Sequence, residues 1–421
     1  MGMVAAVAAS CLAAGLALPA SAQQYQDRLV SANPANYTPN LIADSVVAHP
    51  RTLALAVSPD TVYIGGQFNT VSDSKKAQYT QRTNLFAVNR SNGALLPWAP
   101  AVDGLVWSVT VSGGSVYIGG DFKTVNGVSR PSIAKLDAVT GVLDTSFKPP
   151  INAGRVTEIK MVGSRLFVSG GFGPKLIALN PTTGANTGYF KSTVVAGSFL
   201  NASGSGQIYR FAVNPQGTRL VAVGDFRTVN GVAAARVFML DLTETSATLD
   251  PWHYEPFEHY CLGTSWGAYV QDVDFSPDGS YFAVAAAGYV VPDGTTGYVC
   301  DAVARFETDI AAPDQPTWIN YTGGDTLRSV AITGTAVYVQ GHNRWLNNPY
   351  GKDSAGPGAT DARGGGSVDP TTGLAMSWAP PHPCSDGGRV IVATDDGVWF
   401  GNDSKYFGNE PRIGLAFTPL S

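Results

Sequence analysis

The residues with the clearest capacity for chemistry fall in one stretch, residues 342–366, HNRWLNNPYGKDSAGPGATDARGGG. It gathers His342, Arg344, Trp345, Asn347, Asn348, Tyr350 and Asp353. Aromatic rings beside amides and a carboxylate suit a sugar. A ring stacks on the C–H face, and paired donors and acceptors meet the hydroxyls. The same mix of Trp, Tyr and Arg suits a protein partner, with Trp345 expected at the centre. The competing reading is a loop held down by its own Trp and Tyr.

Other groups carry weaker signals. Residues 251–266, PWHYEPFEHYCLGTSW, offer His253, Glu255, Glu258 and His259. Their spacing cannot form a zinc-binding H-E-x-x-H helix, and Pro256 breaks any helix there. The stretch reads instead as a surface loop pinned by a Cys261–Cys300 disulfide, with Cys384 left as a free thiol. Glu158, Lys160, Arg210, Asp272, Asp274 and Arg328 recur at matching places along the chain. They either converge on a bound ligand or ion, or pair with one another between neighbouring units. Asp121/Asn126/Gly127 and Asp225/Asn230/Gly231 occupy identical frames, which marks turns; calcium at one of them is the alternative. Neither a G-x-S-x-G in a strand-to-helix context nor a Ser/His/Asp arrangement with supporting context occurs. No catalytic residue, resident metal or cofactor is therefore assigned, and an enzyme is the minor reading.

The elements that position these residues come from an internal repeat. VYIGGQF at 62–68 returns as VYIGGDF at 116–122, LFVSGGF at 166–172 and LVAVGDF at 220–226, a period of about 50–54 residues. Weaker copies follow at 281, 337 and 398, making seven. An alternating segment precedes each copy across a short turn, as in WSVTV from 107 and QDVDF from 271. A third apolar segment follows, such as SIAKLD from 132, then a turn and an outer segment carrying Trp98, Phe147, Tyr189, Trp252, Trp318 or Trp378. Four strands per repeat cannot bury both faces alone. Stacking them radially does so, which predicts an all-β, seven-bladed β-propeller of four-stranded antiparallel blades. The last copy lacks its outer strand, and YTPNLIADSVV from 37 resembles the outer segment LPWAPAVDGLV from 96. Residues 36–46 are thus expected to close the last blade. The stretch DARGGGSVDP, 361–370, predicts a frayed third strand in the sixth.

Composition agrees: 44% apolar, 14% charged and 48 glycines suit turn-rich β structure. A net charge of −5 without a basic stripe gives no support for nucleic-acid binding. The apolar, Ala-rich residues 1–22 end in Ala-Ser-Ala, which predicts a signal peptide, a mature propeller domain over 23–421, and secretion. No later segment is apolar enough to span a membrane.

Residues 121–147, DFKTVNGVSRPSIAKLDAVTGVLDTSF, and 225–241, DFRTVNGVAAARVFMLD, resemble the delta-60 repeat of secreted bacterial β-propellers. The resemblance implies the fold over nearly the whole mature chain and little about activity. The expected role is a non-enzymatic recognition or scaffold module for a glycan, cell-wall polymer or secreted protein partner. The alternatives are a lectin-like subunit of a toxin or adhesin assembly, and an extracellular hydrolase, lyase or oxidase.

Overall fold

The computed structural model describes residues 25–200, 204–262, 269–385 and 387–421; the expected signal peptide lies outside the described residues. The architecture is all-β and propeller-like. Among the described residues, seven antiparallel sheets of three or four strands follow one another, with four smaller sheets in the connections. Their inner strands are Arg51–Val57, Leu105–Ser112, Val156–Val162, Gln207–Val213, Val270–Phe275, Leu327–Ile332 and Val390–Ala393. Each inner strand touches the next, and the last touches the first. Seven buried apolar clusters separate consecutive sheets. One of them packs Val62 and Ile64 of the first sheet against Trp399 and Phe417 of the seventh.

The repeated double glycine has a packing cause. A Cβ on Gly65 would meet Val106 Cγ1 at 2.6 Å, and one on Gly119 would meet Val156 Cγ1 at 2.4 Å. The second strand of each of these sheets must be bare there to let the next sheet's inner strand approach. The irregularity lies in the inner strands instead: six of them shift register by one residue at the same place, between pairs such as Val106/Ser108 and Val156/Glu158.

The outer strand departs from expectation. Among the described residues, only the fourth and fifth sheets carry one, Ala247–Leu249 and Trp318–Tyr321. In the first, second, third and sixth it shrinks to single bridges such as Val88↔Leu95 and Val368↔Ala375. Aromatic side chains of the outer segments reach the next sheet. Trp98 Nε1 donates to Asp137 O of the next sheet at 2.9 Å, and Trp318 Nε1 to Pro370 O at 2.9 Å. Tyrosines of the second strands act likewise: Tyr63 OH reaches Ala138 O at 2.9 Å and Tyr117 OH reaches Pro181 O at 2.8 Å.

Two further expectations are corrected. The third strand of the sixth sheet is formed: Gly365–Val368 pairs with Val337–Gly341, because its glycines admit the His382 ring and backbone against it. The last sheet is completed by residues 29–35 rather than 36–46. Ser31 N donates to Pro419 O and Ala35 N to Phe417 O, both at 2.7 Å, and Val30 bridges Leu420. Asn40–Ile42 instead pairs with Thr70–Ser72, and reaches back only at Ile413, whose O accepts from Leu41 N and whose N donates to Asn40 Oδ1, both at 3.0 Å. Asp44 holds that segment to the first sheet by accepting from Thr70 Oγ1 at 2.6 Å and Asn69 Nδ2 at 3.0 Å.

Candidate binding face

In an antiparallel sheet of this order, the connections after each second strand and between successive sheets emerge on one face. Residues 342–364 form such a connection. A two-residue pairing, Trp345–Leu346 with Thr360–Asp361, gives the loop its stem. Buried Asp325 accepts from Arg344 N at 2.8 Å and from its guanidinium at 2.7 and 2.9 Å. This fixes Arg344, with Asp353 3.2 Å away, over the half-buried Trp345 ring at 4.4 Å. Asn348 is buried and binds Thr322 O, Ser354 O and Gly356 N. Asn347 meets Asn320, Thr360 and the Ala375 amide. His342 is half-buried, its amide donating to Thr326 O. The two amides expected to greet a ligand thus hold the loop together, and the indole expected at the centre lies under an arginine. Of the seven, Tyr350 and Asp353 are exposed, Tyr350 the more so at 77%.

Tyr350 borders a cleft of about 180 Å³ with Tyr289, Val291, Asp293, Tyr321 and Lys352. Lys352 Nζ lies 3.2 Å from Asp293 Oδ1, both exposed. Tyr289 adopts φ 79°, a costly conformation for a bulky side chain. The Asp353 carboxylate beside its hydroxyl raises its pKa. Its backbone faces Asp301, whose carboxyl is buried and pushed up to about 8 by that burial. The sequence search missed Tyr289 and Asp293. Their only signal was GYVVPDG, a turn-rich insertion shortly before Cys300.

The polar inner-strand residues line the central cavity, of about 470 Å³, except Arg328. Arg210 bonds Glu158 Oε2 at 2.9 Å, Trp107 O at 3.2 Å and Thr157 O, and Lys160 Nζ lies 3.8 Å from Glu158. Asp272 accepts from Val330 N at 3.0 Å and Asp274 from Ile332 N at 2.8 Å, joining the fifth sheet to the sixth. Burial pushes Asp272 up to about 7, against the lowering effect of Arg210. Arg328 turns away, bonding Gln271 Oε1 at 3.1 Å and packing beside Gly387. This set joins sheets to one another.

Cys261 and Cys300 form a disulfide with Cα atoms 5.8 Å apart, and Cys384 is unbridged. The loop before Cys261 holds a turn of 3-10 helix, Glu255–Glu258, which accommodates Pro256 at its start. His253 sits 3.4 Å from Glu258, and His259 contacts Glu255, as separate pairs. No group of three His, Cys, Asp or Glu suited to a metal occurs among the described residues. Asn126 (φ 51°) and Asn230 (φ 54°) sit in tight turns, while Asp121 binds Trp107 and Arg155, and Asp225 binds Ser198 and Phe199.

His382 is wholly buried, with Nδ1 2.6 Å from Pro380 O, its ring stacked on Phe407 at 4.5 Å, and no partner at Nε2 among the described residues. Burial pushes its pKa down to about 4. The unfolded chain binds the proton near pH 6.5. This residue's stabilising contribution is therefore complete above that value and is lost as pH falls from about 6.5 toward 4. Asp272 and Asp301, raised in the fold, act oppositely: their contribution is present at low pH and is lost as pH rises toward 7 and 8. Comparing His382→Phe with the parent isolates the first effect. The variant's melting temperature should fall less between pH 7 and pH 4.5, by on the order of 2–3 kcal/mol in stability terms. Parallel melting curves would show that His382 titrates normally.

The family described as "Domain of unknown function (DUF5122) beta-propeller" matches residues 114–147. No curated protein matches. Among solved structures, the RRP9 WD40 repeats align with a TM-score of 0.55 at 11% identity, covering 94% of this chain and 99% of that one. YCF48 bound to D1 peptide aligns at 0.46 and 12%, covering 95% and 99%. BamB from Moraxella catarrhalis aligns at 0.44 and 11%, covering 88% and 83%. The first of these supports the propeller-like fold; none bears on activity.

Proposed function

We propose that this chain is a secreted, seven-bladed propeller of the delta-60 kind that acts without catalysis, holding a glycan at the Tyr350 cleft. The seven-fold count is supported by the cyclic contact of inner strands and the seven clusters between sheets. Secretion is supported by the disulfide, a bond that persists in oxidising compartments. The observation that carries the binding reading is the cleft itself. Exposed Tyr350, with Tyr289 and Tyr321, offers ring faces, and Asp293 and Lys352 offer an acceptor and a donor to hydroxyls. A propeller suits this role because loops on a rigid ring can change without disturbing the core.

A glycan and cell-wall polysaccharide array probed with the mature chain tests the reading. Tyr350→Ala should weaken the strongest signal at least about ten-fold. Its melting temperature should stay within about 1 °C of the parent, since an exposed side chain holds little of the fold. Equal binding by the variant, or no glycan bound by the parent, would sink the proposal.

A further inference from the structure

The central cavity has two unlike walls. At the register of Lys160, the other inner strands carry Ala56, Thr110, Ala212, Asp274, Ala331 and Val392, and all of these line the cavity. Three alanines at one level leave room around the lysine. Two residues earlier along each strand, the third, fourth and fifth sheets carry Glu158, Arg210 and Asp272, against Ala54, Ser108 and Val390 from the second half of the ring. The charged side chains at both levels thus come from three consecutive sheets. The facing arc is uncharged at these levels, and half-buried Val57, Val111 and Val392 make it apolar.

The bonds that join the sheets do not exhaust the charged groups. Among the described residues Lys160 Nζ makes no hydrogen bond. Its nearest carboxylate oxygen, Glu158 Oε1, is 3.8 Å away, beyond hydrogen-bond reach, and the Phe211 ring centre is 5.6 Å away. Arg210 uses only Nη1, on Trp107 O, Thr157 O and Glu158 Oε2, which leaves the donors of Nε and Nη2. Glu158 Oε1 accepts no hydrogen bond among the described residues. None of these unused atoms is sealed from solvent, and all three residues line the cavity. Asp272 and Asp274, by contrast, hold the Val330 and Ile332 amides.

The charges of this wall, Lys160 and Arg210 against Glu158, Asp272 and Asp274, nearly cancel at neutral pH, where burial keeps Asp272 partly protonated. A wall of mixed sign and small net charge gives little to a simple ion. It suits a molecule that carries both signs, because each charge then meets its own partner. The apolar arc across from it suits a hydrocarbon body. The volume, about 470 Å³, is that of a small-molecule site. We infer that the central cavity binds a free α-amino acid with a large apolar side chain. Its carboxylate accepts from Lys160 Nζ and the unused donors of Arg210, its ammonium donates to Glu158 Oε1, and its side chain lies on Val57, Val111 and Val392. This site is separate from the Tyr350 cleft and goes beyond the glycan reading.

Isothermal titration of the mature chain with L-leucine and L-phenylalanine tests the assignment, and at least one of the two should bind. N-acetylation removes the ammonium and C-amidation removes the carboxylate. Each should weaken binding at least about ten-fold, the size of a lost hydrogen bond between charged groups. L-Serine, which lacks the apolar body, should bind at least about ten-fold more weakly than the better of the two. Lys160→Met should weaken binding at least about ten-fold. Its melting temperature should stay within about 2 °C of the parent, because the amine makes no hydrogen bond in the fold. Glu158→Gln keeps an oxygen for Arg210 and should bind the free amino acid no better than its N-acetyl derivative. This second variant decides the matter if Lys160→Met fails to fold. Absence of binding by both amino acids, a blocked derivative bound as tightly as the free one, or full affinity in Lys160→Met or Glu158→Gln would each overturn the inference. The glycan array and this titration read different ligands, so one proposal can fail without the other.

Discussion

Replacing Cys261 and Cys300 together by alanine is expected to cost about 3–4 kcal/mol of stability, the entropy of a closed loop with its ends 39 residues apart. The loss should reach binding as well. The bridge fastens the loop carrying Tyr260 to the one carrying Tyr289 and Asp293, and Tyr269 OH rests 3.6 Å from Cys300 Sγ. Space around it is tight: a Cβ on Gly288 would stand 2.5 Å from Cys261 Sγ. Chemical denaturation should show a lower midpoint for the double variant and for the reduced parent. Reductant should leave the double variant unmoved. Equal midpoints for oxidised parent and double variant would mean the sheets hold these loops without help.

Removing residues 25–35 is expected to do more. That segment buries Val30 and gives its amide to Tyr338 OH at 3.1 Å. It supplies Ser31 O to Trp378 Nε1 at 3.1 Å, and Gln26 Nε2 binds Thr394 O at 2.9 Å and Gly397 O at 3.1 Å. Burial of one valine and several hydrogen bonds together amount to on the order of 5 kcal/mol. The deletion also leaves Leu415–Pro419 as an open edge, a template for pairing with another chain. A chain starting at residue 36 should melt far lower than the parent and elute as oligomers on size exclusion. A monomer with the parent's melting temperature would show that the seventh sheet closes without this strap.

The architecture was readable because its cause repeats. Where the neighbour's valine arrives the first two copies need bare glycine, at Gly65 and Gly119, while the third and fourth carry Ser169 and Val223 in the same frame, and the strand–turn–strand order around them recurs. The outer strands were over-read. Sequence alternation cannot show that an outer segment keeps a single bridge and joins the next sheet through an aromatic side chain. The closing segment was misplaced because 37–47 resembles an outer segment. Its fate is decided by Asp44 finding Thr70 and Asn69, a contact across some 25 residues.

The site was less legible. Trp345 and the two asparagines have the composition of a binding loop, yet Asp325, upstream of that loop, draws Arg344 over the indole. Composition cannot tell an amide that meets a ligand from one that ties its own backbone.

The indole and phenol joints end on main-chain oxygens: Asp137, Ala138, Pro181, Pro370 and Ser31 receive them through their carbonyls. A carbonyl is present whatever side chain stands there. The receiving turns can therefore drift in sequence while each seam stays satisfied, and only the donating aromatic is held to its type. This permits copies as unlike as VYIGGDF and YFAVAAAG to sit in one ring. It also leaves the turns opposite the binding face open to insertion, tagging or fusion, provided the peptide group that accepts the bond keeps its place.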